Sequence, residues 1–205
     1  MEKIKSQTNP VTKFIFVGPE STGKTTLCKV LSEKYFAHWV EEMCRVVAEE
    51  KTLSKSQIIN PEIAGNEINF NFDLNDFILM ANRQNSMEYE LTQKTNNMLF
   101  CDNDSFALTI WCERYLGKPY SEIYDIYLNA DYLDNNKKIY ILTKPNVPFV
   151  QDGLRDGEHI RDWMYERFLE ELENKKMNYY IIDSPDYVQR LNSAIQIVEN
   201  NYCKD

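Results

Sequence analysis

The chain has 205 residues, of which 43% are hydrophobic, so it can bury a sizeable core. Its 23 basic and 32 acidic residues give a formal net charge of −9, which argues against a general nucleic-acid surface and against a polybasic membrane anchor. Five cysteines without a C-x-x-C pair give no support to a zinc or redox motif, and they suit a reducing cytosol.

Short apolar runs alternate with amphipathic helical patterns along the chain. Strands are predicted at residues 13–17, 37–41, 97–101, 138–142 and 179–182. Helices are predicted at residues 24–35, 42–50, 74–95, 105–115, 121–130, 161–174 and 187–200. The alternation predicts an α/β fold, a three-layer sandwich whose mainly parallel five-stranded sheet is covered by helices. Ligands of such sheets bind beyond the carboxyl ends of the strands.

Three segments interrupt this pattern within what we expect to be a single domain of residues 1–205. Residues 1–12 are polar and lack the apolar core of a signal peptide, so we expect a flexible N-terminus on a cytoplasmic protein. Residues 52–70 contain Pro61 and Gly65 and are predicted to form a loop or a substrate flap. Residues 144–161, with two prolines, two glycines and two arginines, are predicted to form a lid over the site.

The first predicted strand runs into the sequence GPESTGKTT, residues 18–26, which fits G-x-x-x-x-G-K-[ST]. Glycines let the backbone wrap a phosphate, and the helix that follows presents its N-terminus to the same anion. Lys24 can reach the β- and γ-phosphates, and the Thr25 hydroxyl can ligate Mg²⁺. The motif therefore predicts a P-loop that binds ATP and Mg²⁺. The predicted cofactor-binding residues are Gly18, Glu20, Ser21, Thr22, Gly23, Lys24, Thr25 and Thr26.

Charged residues follow the second and third predicted strands. Glu42 and Arg45 lie three residues apart, so the carboxylate could accept a proton from an acceptor hydroxyl and the guanidinium could hold substrate oxygens. An ordinary surface ion pair is the alternative for these two residues. Asp102 ends an apolar strand, as a metal-side carboxylate of a P-loop protein does, and a turn or cap aspartate is the alternative. Asp104 is predicted either to contact the substrate or to cap the next helix.

Two further groups of residues complete the predicted site. Arg155 and Arg161 in the lid could bring positive charge to the transferring phosphoryl group, although a solvated surface loop would carry the same residues. Trp111 and Tyr115 are candidates for stacking on a flat heterocycle, although helix packing also accounts for aromatic residues at these positions.

Together these motifs resemble the ribosylnicotinamide kinase domain of NadR-type bacterial proteins. The resemblance rests on Glu42–Arg45 (E-x-x-R), Asp76 with Gln84 (D…Q), Asp102–Asp104 (D-x-D), Tyr115–Gly117 (Y-x-G) and residues 147–155 of the lid. The chain departs from the family pattern at four places. Asn103 stands where the family has Thr, Asn146 where it has Asp and Phe149 where it has Trp. Two lysines, at positions 137 and 138, stand where the family tends to have Tyr-Asp. Bifunctional members of the family carry a nucleotidyltransferase domain and some carry a DNA-binding domain. We expect neither upstream of a first strand that begins at Lys13.

The resemblance implies phosphorylation of the 5′-hydroxyl of nicotinamide riboside at the expense of ATP, which yields nicotinamide mononucleotide in NAD salvage. The implied catalytic residues are Lys24, Glu42, Asp102, Arg155 and Arg161, and the implied metal ligands are Thr25 and Asp102. The implied substrate-binding residues are Glu42, Arg45, Asp76, Asp104, Trp111 and Tyr115. Two alternatives stay open: a kinase for another nucleoside or nucleoside monophosphate, and a nucleotide-dependent switch that acts on a partner.

Overall fold

A computed structural model describes residues 10–56, 72–95, 97–152 and 155–202 of the chain. The strands in these residues are β1 (Thr12–Val17), β2 (His38–Val40), β3 (Met98–Asp102), β4 (Lys137–Thr143) and β5 (Tyr179–Ile182). The helices are α1 (Lys24–Tyr35), α2 (Met43–Ser56), α3 (Leu74–Thr92), α4 (Ser105–Leu116), α5 (Ser121–Leu133), α6 (Arg161–Asn174) and α7 (Tyr187–Asn201). A single 3₁₀ turn, Glu158–Ile160, precedes α6.

The five strands form one parallel sheet in the order β2-β3-β1-β4-β5. Strand β1 lies at the centre, with Phe14 paired to Phe100 of β3 on one side and to Ile139 of β4 on the other. The carboxyl ends of β1, β3 and β4 therefore lie side by side at one edge of the sheet. The predicted α/β class and the five-stranded parallel sheet are confirmed.

Alternate residues of the strands build two cores, one on each face of the sheet, as the period-2 geometry of a strand requires. Ile15 and Val17 belong to a core that includes apolar residues of α3, α4 and α6. Phe14 and Phe16 belong to a second core with residues of α1 and α7. All four side chains are fully buried. Two packed faces hold the central strand, and hence the loop that follows it, in a fixed position.

Two of the predicted irregular segments differ from the structure in the described residues. Helix α2 continues to Ser56, so the predicted loop at 52–70 begins at least five residues too early; residues 57–71 lie outside the described ranges. No glycine or proline occurs between Met43 and Ser56 to stop the helix. At the N-terminus, the predicted flexible segment 1–12 is wrong for its last two residues. Val11 is fully buried and Thr12 begins β1, whereas residues 1–9 lie outside the described ranges.

None of the described helices is both long enough and apolar enough to cross a membrane. Between β4 and the 3₁₀ turn, the described residues of the lid, 144–152 and 155–157, form neither helix nor strand.

Candidate active site

The P-loop, residues 18–25, connects the central strand β1 to helix α1, and its backbone is set by two glycines. Gly23 caps α1 with a φ of +84°, and Gly18 has a φ of +133°. A side chain at position 18 would also meet Thr143 of β4, because a Cβ built there lies 2.8 Å from its carbonyl oxygen. The loop thus turns close against the end of the neighbouring strand, which only glycine permits.

The P-loop lysine is turned back onto its own loop. Its Nζ donates to the carbonyl oxygens of Gly18, at 3.0 Å, and Pro19, at 2.8 Å, and the residue is only 7% exposed. Thr22 supports the same turn, because its hydroxyl donates to Pro19 O at 3.0 Å and lies 2.6 Å from the Thr143 hydroxyl. Phosphate oxygens could replace the two carbonyl groups as partners of the Lys24 ammonium group.

Asp102, at the end of β3, lies beside the first residue after the P-loop lysine. The Thr25 hydroxyl donates to Asp102 Oδ2 at 2.5 Å, whereas Oδ1 is buried without a hydrogen-bond partner in the described residues. Burial raises the pKa of Asp102, and the Lys24 charge and the Thr25 hydrogen bond act against this rise. An unpaired carboxylate oxygen next to a hydroxyl suits a hard cation such as Mg²⁺.

No cluster of three or more His, Cys, Asp or Glu side chains in the described residues could hold a metal ion. The remaining ligands of a Mg²⁺ ion at Thr25 and Asp102 would therefore be nucleotide phosphates and water, which is how Mg²⁺ usually binds in phosphoryl-transfer sites. The two predicted metal residues fit the ion on this basis.

Glu42 faces the same region from the start of α2. Its Oε1 accepts a hydrogen bond of 2.5 Å from the Asn103 side-chain amide. Asn103 has a left-handed φ of +66°, and its carbonyl accepts from Gln84 of α3. Gln84 in turn accepts from the backbone N–H of Met43. Burial, followed by the charge of Asp102, raises the pKa of Glu42. The alternative for these two residues, an ion pair with each other, is not what the structure shows, because Arg45 pairs with Asp152 of the lid at 2.8 Å.

The two predicted stacking residues lie on α4 and line the same cleft as the P-loop. Trp111 and Tyr115 occupy successive turns of α4, and their ring centroids are 6.4 Å apart in a stacked arrangement. The ring of Phe72 packs edge-on against Tyr115 at 5.1 Å. With P-loop residues, Glu42, Arg45 and Arg155 they line one open cleft of about 700 Å³, solvent at its mouth included. The cleft thus has a phosphate-binding side and an aromatic side.

Two of the predicted substrate residues have other partners. Asp76 forms a reciprocal capping box with Asp73 at the start of α3 and pairs with Lys51 of α2. Asp104 caps α4 by accepting from the N–H of Ala107 at 3.0 Å, and its other oxygen accepts from the Tyr140 hydroxyl at 2.8 Å. For Asp104 the structure shows the capping alternative. Neither side chain lies among the described residues of the cleft wall, so their substrate contacts stay a prediction.

The lid contacts the P-loop at Glu20 and Ser21, two of the four x positions of its motif. The Ser21 hydroxyl accepts from Val150 N at 2.8 Å and from Arg155 at 3.3 Å. Arg161 donates to Ser21 O at 3.3 Å. The same guanidinium also donates to Val147 O, so Arg161 links the lid to the P-loop backbone outside the cleft lining. Of the two predicted lid cations, only Arg155 lines the cleft.

Sequence reasoning missed three supporting residues. Arg190 of α7 donates to Thr22 O at 2.8 Å across 168 positions, and no local pattern marks it. Thr143 ends β4, and a search of strand ends for hydroxyl groups would have found it. Arg114 of α4 lies against Tyr115 and pairs with Asp156. The Tyr-x-Gly motif begins at Tyr115, so it does not include Arg114.

The model of a family described as AAA domain matches residues 13–190, which is most of the chain. The chain belongs to this family. No curated protein matches it.

Among solved structures, a NadR protein in complex with NR is 18% identical, with a TM-score of 0.66 over 94% of this chain and 50% of the NadR chain. The chain therefore spans about half the length of the NadR structures that it matches. The thymidylate kinase from Candida albicans is 13% identical, with a TM-score of 0.59 over 94% of this chain and 92% of the kinase. A deoxyadenosine kinase from M. mycoides is 13% identical, with a TM-score of 0.55 over 92% of this chain and 97% of the enzyme. At these identities the likeness establishes the fold, and the predicted P-loop kinase fold is confirmed.

Proposed function

We propose that the protein transfers the γ-phosphoryl group of ATP to the 5′-hydroxyl of nicotinamide riboside, forming nicotinamide mononucleotide and ADP. One observation carries the proposal: a P-loop, the Glu42 carboxylate and an aromatic wall line a single cleft. The phosphates of ATP need the hydrogen-bond donors of the P-loop, whereas the flat heterocycle of a small nucleoside needs an aromatic surface on which to stack. The family-like motifs at Glu42–Arg45 and residues 147–155 add the choice of nicotinamide riboside over other nucleosides.

Nucleotide binding would rearrange the P-loop lysine. The ammonium group of Lys24 now has two carbonyl partners, and the β- and γ-phosphates would offer it charged oxygens in their place. We propose that this exchange, with the N-terminus of α1 behind it, holds the nucleotide in line with its acceptor. When bound, Mg²⁺ would neutralise charge on the phosphates, and Thr25 and Asp102 would hold it.

Glu42 and Asp102 are both carboxylates that could accept the proton of the acceptor hydroxyl, and we propose Glu42 as the general base. Asp102 already accepts the Thr25 hydroxyl hydrogen bond and is needed on the metal side. Glu42 is oriented by a single amide donor, Asn103, so one carboxylate oxygen can accept the proton of the acceptor hydroxyl. Burial raises the pKa of Glu42, which makes it a better proton acceptor than an exposed carboxylate.

Cations from the lid would surround the transferring group. Arg155 lines the cleft beside the P-loop and donates to the carbonyl of Val150 at 2.6 Å, which orients its guanidinium. We propose that it spreads the charge of the phosphoryl group in the transition state. Arg161 would have to release the carbonyls of Val147 and Ser21 to do the same, so we propose that it acts first by fixing the lid to the P-loop.

A second candidate function is phosphorylation of a deoxynucleoside or of dTMP. Its support is that the thymidylate and deoxyadenosine kinase structures share the fold over more than nine tenths of both chains. An aromatic wall of Trp111 and Tyr115 suits a pyridine and a pyrimidine equally well.

A panel of acceptors tests the proposal. The purified protein would be assayed for ADP release with nicotinamide riboside, nicotinic acid riboside, uridine, thymidine and dTMP, and without an acceptor, with Lys24→Ala as the inactive control. We expect the highest kcat/KM with nicotinamide riboside. A preference for thymidine or dTMP would favour the second candidate function over phosphorylation of nicotinamide riboside. ATP turnover that is the same with and without every acceptor would indicate a nucleotide-dependent switch.

A further inference from the structure

Arg114, in the last turn of α4, connects three parts of the site. Its guanidinium carbon lies 4.1 Å from the centre of the Tyr115 ring and 5.7 Å from that of Trp111. Its Nη2 atom donates to Asp156 Oδ1 in the lid at 2.5 Å. The side chain is only 8% exposed. A charged side chain so deeply buried must be held by its partners, since an unpaired one would be strongly destabilising.

The lid is attached at the same point by two further contacts. The Tyr115 hydroxyl donates to the same oxygen of Asp156 at 3.3 Å, and the N–H of Gly157 donates to Glu20 of the P-loop at 3.0 Å. A side chain at position 157 would come within 3.0 Å of the Glu20 carboxylate and 3.2 Å of Arg114. The lid backbone therefore passes between the P-loop carboxylate and the arginine, and a side chain at position 157 would push against both groups.

The guanidinium also has unused hydrogen-bonding capacity. Nη1 of Arg114 and Nε1 of Trp111 are buried donors without partners in the described residues. Trp111 lines the cleft on the side where the acceptor heterocycle is proposed to stack, and Arg114 lies against its neighbour Tyr115. Unsatisfied buried donors are costly in a folded protein, so their presence here points to a functional arrangement rather than to packing alone.

We propose that Arg114 is a positioning residue that couples the aromatic wall to the lid, so that Arg155 is held at the P-loop only when Trp111 and Tyr115 are in place. This inference rests on the proposed function, because it assigns the acceptor to the aromatic wall. Asp156 immediately follows Arg155 in the chain, so whatever fixes Asp156 also restricts where the Arg155 guanidinium can reach. Placement of the aromatic rings and placement of the lid cation are thereby linked.

The coupling explains how such a site discriminates between an acceptor and water. A lid cation placed at the P-loop without an acceptor would favour transfer of the phosphoryl group to water. With Arg114 stacked on Tyr115, a displaced ring would move the guanidinium and loosen Asp156. Loss of Arg114 should therefore lower the efficiency of transfer to the acceptor more than it lowers hydrolysis of ATP in the absence of an acceptor.

Hydrogen exchange of the ligand-free protein tests the attachment without reference to catalysis. Arg114→Met keeps an apolar chain of similar length and removes the charged hydrogen bonds. We expect the amide of Gly157, which donates to Glu20, to exchange on the order of tenfold faster in this variant, because a charge-assisted bond beside it is lost. Arg83→Met, which removes an exposed ion pair with Glu50, is the matched control and should leave that amide unchanged. Unchanged exchange in Arg114→Met would overturn the proposal.

A double-mutant cycle with Asp156→Asn distinguishes coupling from two independent effects, and Asp156 is half exposed, so this variant should fold. If Arg114 and Asp156 act as one unit, the double variant should exchange at Gly157 no faster than Arg114→Met alone. Additive effects would overturn the proposal.

Kinetics then supply the second readout. With whichever acceptor supports turnover, Arg114→Met should raise the acceptor KM and lower kcat, and it should raise the ratio of acceptor-free hydrolysis to transfer about tenfold or more. A uniform loss with that ratio unchanged would mean that Arg114 is only structural. If no acceptor supports turnover, the proposed function fails while the exchange result still decides the attachment.

Discussion

Replacing Gly18 by alanine tests whether the P-loop depends on its close approach to β4. The backbone of Gly18 has a φ of +133°, which side chains rarely adopt. A Cβ at this position would lie 2.8 Å from the carbonyl oxygen and 2.9 Å from the hydroxyl oxygen of Thr143. The first of these atoms belongs to the backbone of a buried strand in the sheet, so it cannot move aside easily.

The expected magnitude follows by comparison with the other glycine of the P-loop. Gly23 also has a positive φ, +84°, but a Cβ there would meet no atom within 4 Å. Gly23→Ala should therefore cost only the conformational term, about 1–2 kcal/mol. Gly18→Ala adds the overlap with Thr143, and overpacking of this kind costs about 1–3 kcal/mol more. We expect Gly18→Ala to lower the free energy of unfolding by about 2–5 kcal/mol, clearly more than Gly23→Ala.

Urea unfolding of the ligand-free proteins, followed by circular dichroism, measures both values without reference to nucleotide. Unchanged m-values would show that the substitutions change the stability of the native state and leave the compactness of the unfolded state as it was. If Gly18→Ala proved no less stable than Gly23→Ala, the loop and β4 would have to be farther apart than the structure places them. The P-loop would then lack the rigid support that close contact with β4 gives it.

Four further substitutions test the proposed chemistry. Lys24→Ala should lower turnover by about 10²-fold or more while far-UV circular dichroism is preserved, and near-native turnover in a folded variant would remove Lys24 from the mechanism. Asp102→Asn should raise the Mg²⁺ concentration needed for half-maximal turnover, and an unchanged Mg²⁺ dependence would move the metal role elsewhere. Burial raises the pKa of Glu42, so wild-type activity should fall as the pH drops through a value above the usual carboxylate range. Glu42→Gln should abolish this acidic limb of the pH–rate profile. An acidic limb that persists in the variant would exclude Glu42 as the base. Arg155→Lys should lower kcat by about tenfold or more, about 1.4 kcal/mol in transition-state energy, because a lysine cannot keep the contacts to Ser21, Val150 and Asp152 together; a kcat within twofold of wild type would contradict this.

Most of the fold could be predicted from the sequence, because local patterns determine it. The apolar runs of the strands were found to within two residues, and β5 was predicted with its exact bounds. The P-loop was identified because strand, glycines, lysine and helix follow one another within a short stretch of chain. Helix α2 was predicted too short because its last six residues, 51–56, contain a single apolar residue, Leu53, and so carry no periodic apolar signal.

The contacts around the site could not be predicted in the same way, because their partners are far apart in sequence. Glu42 and Arg45 were weighed as a pair with each other, but each has a distant partner: Asn103 for the first and Asp152 for the second. Helix spacing brings the two residues to one face, yet it does not determine which residues of other elements compete for them. For Asp104, both a cap and a substrate contact fitted the spacing, and only the packing of α4 against β4 distinguishes them.

Three cations from different parts of the chain donate hydrogen bonds to carbonyl oxygens of the P-loop. In a P-loop the backbone N–H groups must stay free for phosphate, so the carbonyl oxygens of the same peptides need other partners. Arg190 donates to the carbonyl of Thr22, and Arg161 donates to that of Ser21. Both arginines lie in the last third of the chain, so the loop keeps its shape only when α6 and α7 are in place. Lys24 also donates to loop carbonyls, and among these three cations it alone lines the cleft. Arg161 and Arg190 therefore provide support, and Lys24 is the residue whose partners phosphate can replace.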